Sequence, residues 1–121
     1  MKKVFISTSS FGKVSNTPLK ILKKFNIHFE LNPYNRTLSE EEILKILSNG
    51  DHEGLIAGVE PLTERVLNEA KRLKVISRVG VGLDNIDIKA AERTGIKIYN
   101  THDCLTDSVA ELTIGLILDS L

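Results

Sequence analysis

Apolar runs of strand length alternate with stretches of helical period five times along the chain, the pattern of a parallel sheet whose strands are joined by crossover helices. Residues 3–7 (KVFIS) form the first apolar run and lead into a serine- and glycine-containing loop over 8–16. Thr17 is placed to cap a helix with Pro18 at its first position, and Leu19, Leu22 and Phe25 recur three apart, with Ile21 widening the face. Residues 27–31 (IHFEL) alternate and then meet Asn32-Pro33, which predicts a half-exposed strand at the sheet edge. Ser39 and Glu42 have capping-box spacing ahead of Ile43, Leu44, Ile46 and Leu47, and Gly50 closes that second helix. Residues 54–58 (GLIAG) are short and uniformly apolar, as a central parallel strand buried on both faces requires. Thr63 opens a third helix with Val66, Leu67, Ala70 and Leu73 on its apolar face, and residues 74–79 (KVISRV) are the next strand. After the Gly80-Val81-Gly82 turn, Asp87 or Asn85 starts a short helix through Arg93, Gly95 ends it, and residues 96–99 (IKIY) are the fifth strand. Ser108 with Glu111 forms a second capping box that introduces a last helix running to Leu121. The predicted fold is α/β, a doubly wound five-stranded parallel sheet, with ligands expected at the carboxyl ends of the strands near the switch point.

That last helix is apolar nearly all round: eight of the thirteen residues from Val109 to Leu121 are Val, Ala, Leu or Ile. Four helices already serve the sheet, so the pattern predicts that one side of the fifth is left over, with Ile114, Ile117, Leu118 and Leu121 offered to a further domain or a second subunit.

Composition narrows the function classes. A chain of 121 residues has room for one domain. Its 16 basic and 16 acidic side chains cancel and are spread evenly, which argues against a nucleic-acid footprint or a polybasic membrane patch. Cys104 is the only cysteine, no signal-peptide pattern follows Met1, and the nearly apolar stretch 114–118 is far below the roughly 20 residues a membrane span needs. A cytoplasmic location is the expectation.

The strand-end loops hold the candidate chemistry. Residues 8–13 (TSSFGK) place hydroxyls ahead of a helix N-terminus, a setting for an anion, although the P-loop pattern fails because its first glycine is missing and Val14 replaces the magnesium-binding hydroxyl. Gly80-Val81-Gly82 invites the dinucleotide fingerprint, but Asn85 occupies its third glycine position, and Tyr99 and Asn100 stand where a ribose-gripping acid would be. The turn instead offers a closely approachable backbone with N–H donors, suited to a small carboxylate. Arg78 carries a fork that matches such an anion bidentately, or that pairs with Glu60 or Asp84. His102, Asp103 and Cys104 are adjacent but lack metal-site or Cys-His spacing, and His28 and His52 belong to no acid-base arrangement. A receiver-type signalling domain would need acidic residues where Ser9, Ser10 and Gly58 stand and a lysine where Thr101 stands. A free-standing flavodoxin-like module binding FMN or a simple anion remains the alternative, although its third and fourth strand-end loops lack aromatic walls for a flavin.

These loops, in this order, resemble the N-terminal part of the D-isomer-specific 2-hydroxyacid dehydrogenases, and within them the phosphoglycerate-dehydrogenase-like group. Residues 73–118 carry most of the likeness, as LKVISRVGVGLDNIDIKAAERTGIKIYNT and then DSVAELTIGLIL; STSSFGK, LNPYNRTLSEEEI and LIAGVEPLTERVL extend it over essentially the whole chain. The resemblance implies a flavodoxin-like substrate domain over residues 1–107, with residues 108–121 beginning the crossover helix to a Rossmann NAD-binding domain that this chain lacks. It implies an oxidoreductase that uses NAD to interconvert small 2-hydroxy and 2-oxo acids as a homodimer, in serine biosynthesis for its phosphoglycerate-dehydrogenase members. By the same resemblance Gly58, Val59, Gly80, Val81 and Gly82 offer backbone N–H groups to the substrate carboxylate. Arg78 and Asn100 lie at the substrate, and Ser108 and Val109 lie toward the cofactor. The family's catalytic arginine, acid and histidine belong to a later part of the chain, and His102 departs from the proline that usually follows the Asn-Thr pair. The residues agree with this independently, since hydride transfer needs a dinucleotide site and a positioned acid-base group and neither is present. The 121 residues are expected to be inactive alone and not to bind NAD.

Overall fold

The computed structural model describes residues 2–8, 17–80, 82–100 and 106–121, with side chains of the last helix from residue 113 onward. Five strands, β1 (Lys3–Ile6), β2 (His28–Leu31), β3 (Gly54–Ala57), β4 (Val75–Arg78) and β5 (Lys97–Asn100), alternate with five helices, α1 (Thr17–Lys24), α2 (Glu40–Asn49), α3 (Glu64–Glu69), α4 (Ile88–Thr94) and α5 (Thr106–Ser120). The strands form one sheet in the order β2-β1-β3-β4-β5, all parallel, so the chain winds outward in both directions from the β1/β3 pair. This is the flavodoxin-like doubly wound order.

Alternate strand residues feed two cores. Phe5, Leu55 and Ile76 point to the layer formed by α2, α3 and α4, with Ile43, Leu47, Val66, Leu67, Ala90 and Ala91. Val4, Ile6, Ile56 and Val75 point to the opposite layer, with Leu22 of α1 and Ile114 and Ile117 of α5. β3 is buried along its whole length and β2 lies at the edge with mostly exposed side chains, as the apolar run and the alternating run predicted.

Local chemistry sets most boundaries. Ser39 and Glu42 form the capping box of α2, Thr63 caps α3 through Val66 N–H, and Asp87, not Asn85, caps α4 by accepting from Ala90 N–H. Gly95 then ends α4 in the left-handed region at φ 78°, a conformation costly for any residue with a Cβ.

Four expectations are corrected. Phe25 is 54% exposed: α1 stops at Lys24, Asn26 turns the chain with φ 58°, and Ile27 takes the buried place. α3 ends at Glu69, so Ala70 and Leu73 reach the core from the connection into β4 and not from a helical face. α5 begins at Thr106, which puts Ser108 and Glu111 inside the helix instead of at its cap. Finally, α5 does not hold its apolar residues in reserve. The other helices are divided three to one between the faces, so the sheet beside α1 would lie bare; Ile114 (1% exposed) and Ile117 (0%) fill that gap, with Leu118 and Leu121 packed against them.

Candidate functional site

In a doubly wound sheet the crevice opens where the strand order reverses, here between β1 and β3. A cleft of about 120 Å³ lies there, lined by Ser7, Thr8, Thr37, Gly58, Val59, Glu60 and Val79. Ser7 follows β1 and Gly58 follows β3, and the two strands run side by side with Ile6 beside Ile56. The register also lines up Ala57, Arg78 and Asn100 across β3, β4 and β5, so the ends of these strands share one rim.

Glu60 is the centre of this rim. Its side chain is 1% exposed, and its carboxyl group is held by the Ser7 hydroxyl, 2.7 Å from Oε2 and also against Oε1. Gly58 N–H donates to Oε1 at 2.9 Å. Burial pushes this carboxyl above the usual range, while the bonds from Ser7 and Gly58 and the nearby Arg78 charge act in the other direction. The Asn85 amide spans the gap to the next loop: Nδ2 donates to the main-chain oxygens of Glu60 (2.8 Å) and Gly58 (3.2 Å), and Oδ1 accepts from Arg78 Nε at 3.3 Å. A two-residue bridge reinforces the junction, with Leu62 N–H donating to Asn85 O at 2.8 Å and Asp87 N–H to Leu62 O at 2.9 Å.

Arg78 is half-buried, and its Nη1 donates to Val79 O at 2.6 Å. Among the described residues its hydrogen-bond partners are amide oxygens, with no ion pair to Glu60 or Asp84. The guanidinium lies across Gly80. A Cβ there would come within 2.0 Å of Nη1, and φ at Gly80 is 136°, so only glycine lets the arginine lie over the turn.

The residues singled out from sequence fall out as follows. Gly58, Val59, Arg78, Gly80 and Asn100 come together at the carboxyl ends of β3, β4 and β5, with Gly82 exposed just beyond. Val59 is 58% exposed at the tip of its loop, whereas the Gly58 amide is engaged by Glu60. Val81, the anion loop at 9–13, and His102, Asp103 and Cys104 lie outside the described residues; Ser108 and Val109 are on α5, where only the backbone is described. His52 is buried edge-on against Phe5, with Nε2 3.4 Å from Glu30 Oε1 but out of hydrogen-bond geometry, beneath the amino ends of the strands and away from the cleft. Sequence reasoning missed Glu60 as more than a partner for Arg78, and missed Ser7, Thr37 and the linking role of Asn85. The available signal was an acid two residues beyond a strand buried on both faces.

No group of three His, Cys, Asp or Glu among the described residues could hold a metal, and no helix among them is long and apolar enough to cross a membrane. A larger groove of about 410 Å³ between α4 and β5 is lined by Leu83, Ile88, Ala91, Ile96 and Ile98, together with Glu92, Lys97 and Tyr99.

The molecule is thus a doubly wound parallel α/β protein with a small polar cleft at its switch point and an arginine laid over a glycine turn beside it. Residues 5–114 match the model of the D-isomer specific 2-hydroxyacid dehydrogenase, catalytic domain. The chain belongs to the D-isomer specific 2-hydroxyacid dehydrogenase family, a family of oxidoreductases. Among its relatives, D-3-phosphoglycerate dehydrogenase of Methanocaldococcus jannaschii is 44% identical over 81 residues, 67% of this chain and 15% of that protein. Hydroxypyruvate reductase of Thermotoga maritima is 38% identical over 89 residues, 74% of this chain and 29% of that protein. Among solved structures, 3-phosphoglycerate dehydrogenase of Entamoeba histolytica bound to NAD+ superposes with a TM-score of 0.71 at 26% identity, covering 96% of this chain and 38% of that one. A Pyrococcus horikoshii OT3 protein gives 0.72 at 32% identity over 98% of this chain and 33% of its own. The chain therefore spans well under half the length of each of these relatives.

Proposed function

We propose that this chain is the substrate-recognising part of an NAD-dependent D-2-hydroxyacid dehydrogenase of the phosphoglycerate-dehydrogenase type, and that its cleft receives the carboxylate of the acid. The observation that carries this is Arg78, fixed through Asn85 at the end of β4 and lying over Gly80 beside the switch-point cleft. A planar guanidinium beside backbone N–H groups is suited to a carboxylate. In this reading Val59 and the turn at Gly80, Val81 and Gly82 supply backbone donors, while Arg78 and Asn100 flank the acid's anionic end. Gly58 contributes differently from its neighbours, because its amide is committed to Glu60.

The described residues do not form a cradle for NAD. Asn85 closes the turn after β4 with three hydrogen bonds where a dinucleotide needs a glycine and an open approach, and β5 ends in Tyr99 and Asn100 without an acid. The dinucleotide, and the groups that move the proton, are assigned to a further domain, toward which Ser108 and Val109 at the start of α5 are proposed to lie. The chain alone is accordingly inactive, and the complete enzyme a homodimer in the cytoplasm. A free-standing FMN carrier fits less well, since a cleft of about 120 Å³, with no aromatic residue among the described residues that line it, is small for a flavin.

The test is steady-state kinetics of Arg78→Ala in this chain joined to its dinucleotide-binding domain. KM for the 2-hydroxy acid is expected to rise roughly ten- to a hundred-fold, the loss of a charge-assisted hydrogen bond worth about 1.5–3 kcal/mol, with the affinity for NAD nearly unchanged. Unaltered constants would reduce Arg78 to a structural residue.

A further inference from the structure

We propose that Glu60 is the positioning residue of the cleft: its buried carboxyl group ties the ends of β1 and β3 together and, through Asn85, holds Arg78 in place to meet an anion. The inference rests on the reading that the cleft receives a carboxylate, and it adds what organises that cleft.

Nothing in the packing of the core calls for an acid at this point. Glu60 is the only acidic side chain among the described residues that is fully buried, and the elements around it supply Ser7, Thr8, Val59 and Val79, none of them a cation. Among the described residues the charge that acts on it is that of Arg78, which makes no direct ion pair with it. A buried carboxyl group is tolerated when its oxygens are hydrogen-bonded, and here the donors come from two separate loops, Ser7 after β1 and Gly58 after β3. The side chain therefore works as a clamp between loops.

The same residue reaches the third loop by its main chain. Its carbonyl oxygen accepts from Asn85 Nδ2 at 2.8 Å, and Asn85 turns its own oxygen to Arg78 Nε. An amide that donates at one end and accepts at the other has its orientation fixed by both bonds, so the orientation of the guanidinium depends on where Glu60 sits. Releasing the carboxyl group would free residues 58–60, and with them the oxygens that orient Asn85. Arg78 would keep its charge and its bond to Val79 O but lose the setting of its fork. Because burial favours the uncharged acid at this position, a carboxamide of the same shape is a close substitute for it.

The experiment uses the 121-residue chain labelled with 15N and titrated with D-glycerate, a small 2-hydroxy acid, with glycerol as the uncharged control. Glu60→Ala is expected to raise the Kd for D-glycerate at least about tenfold and to speed hydrogen exchange at Arg78 Nε–H. Glu60→Gln, which keeps an acceptor for Gly58 N–H, is expected to stay within about threefold of the unmodified chain in both, a rescue that a general loss of stability would not give. Should Glu60→Ala fail to fold, Asn85→Ala cuts the same chain of bonds one step later and is expected to show the same loss. Binding and exchange unchanged in the alanine variant, or Glu60→Gln as weak as Glu60→Ala, would overturn the positioning role while leaving the carboxylate cleft standing. An unmodified chain that binds D-glycerate no better than glycerol would overturn the cleft reading itself, and this inference with it.

Discussion

A carboxyl group taken out of water holds its proton more tightly, and Glu60 carries a pH dependence for that reason. Its folded value lies above the ordinary 4.5, so above that pH the folded chain holds a proton that the unfolded chain has lost. Stability therefore falls as pH rises from about 4.5 through the folded value and does not recover above it. Glu60→Gln cannot titrate, and urea unfolding at a series of pH values is expected to show it gaining stability relative to the unmodified chain as pH rises through that window. A difference independent of pH would mean that Glu60 stays ionised in the fold. The residue scale is also where the sequence was hardest to read. Arg78 and the glycine turn were legible because a fork beside a flexible backbone has a recognisable chemistry. Glu60 and Asn85 were not, since their meaning lies in bonds between loops brought together only by the strand order. Asn85 was read only as a broken fingerprint or a helix cap, whereas it links three residues of the rim.

At the level of single elements the sequence was far more explicit, because capping is local. Ser39, Thr63, Asp87, Gly50 and Gly95 all mark the ends they were assigned. Where the reading failed, the cause was tertiary: α3 stops at Glu69 because the chain must enter β4, and Ala70 and Leu73 are buried without being helical. The capping box of α2 yields the clearest pH signature among the elements. Glu42 accepts from Ser39 N–H and forms a forked pair with Arg36 at 2.8 and 2.7 Å, which holds its carboxyl group down at about 2. A carboxylate depressed in the fold stabilises it above its unfolded value near 4.5, and that contribution is lost as pH falls from there through about 2. Glu42→Gln is thus expected to flatten the acid limb of the unfolding curve between those values and to leave the limb above neutrality unchanged. Replacing Ser39 with Ala removes the other half of the box and is expected to cost about 1 kcal/mol in urea unfolding. A loss near zero would show that Glu42 alone holds the helix end.

On the scale of the whole molecule, strand order matters more than any single contact. The order β2-β1-β3-β4-β5 puts the crevice between β1 and β3 and brings to one rim residues from three different strand ends. It also explains why α5 folds onto its own sheet: with α2, α3 and α4 on one face, α1 and α5 are the described helices that cover the other. Ile117→Ala is expected to cost about 2–5 kcal/mol in chemical unfolding, as for other fully buried aliphatic side chains; a cost well below that would mean that α5 leaves the sheet readily. The alternation of apolar runs and helical periods was enough to foresee a parallel doubly wound sheet. It could not say how the helices divide between the faces, and so assigned α5 outward. The central claim is that the switch-point cleft, and not the larger apolar groove between α4 and β5, meets the acid. Mapping amide shift changes on the labelled chain during titration with 3-phosphoglycerate tests this most directly. Changes concentrated at Val59, Gly80, Gly82 and Arg78 Nε–H are the expected result, and changes confined to Ile88, Glu92, Lys97 and Ile98 along the groove would contradict it.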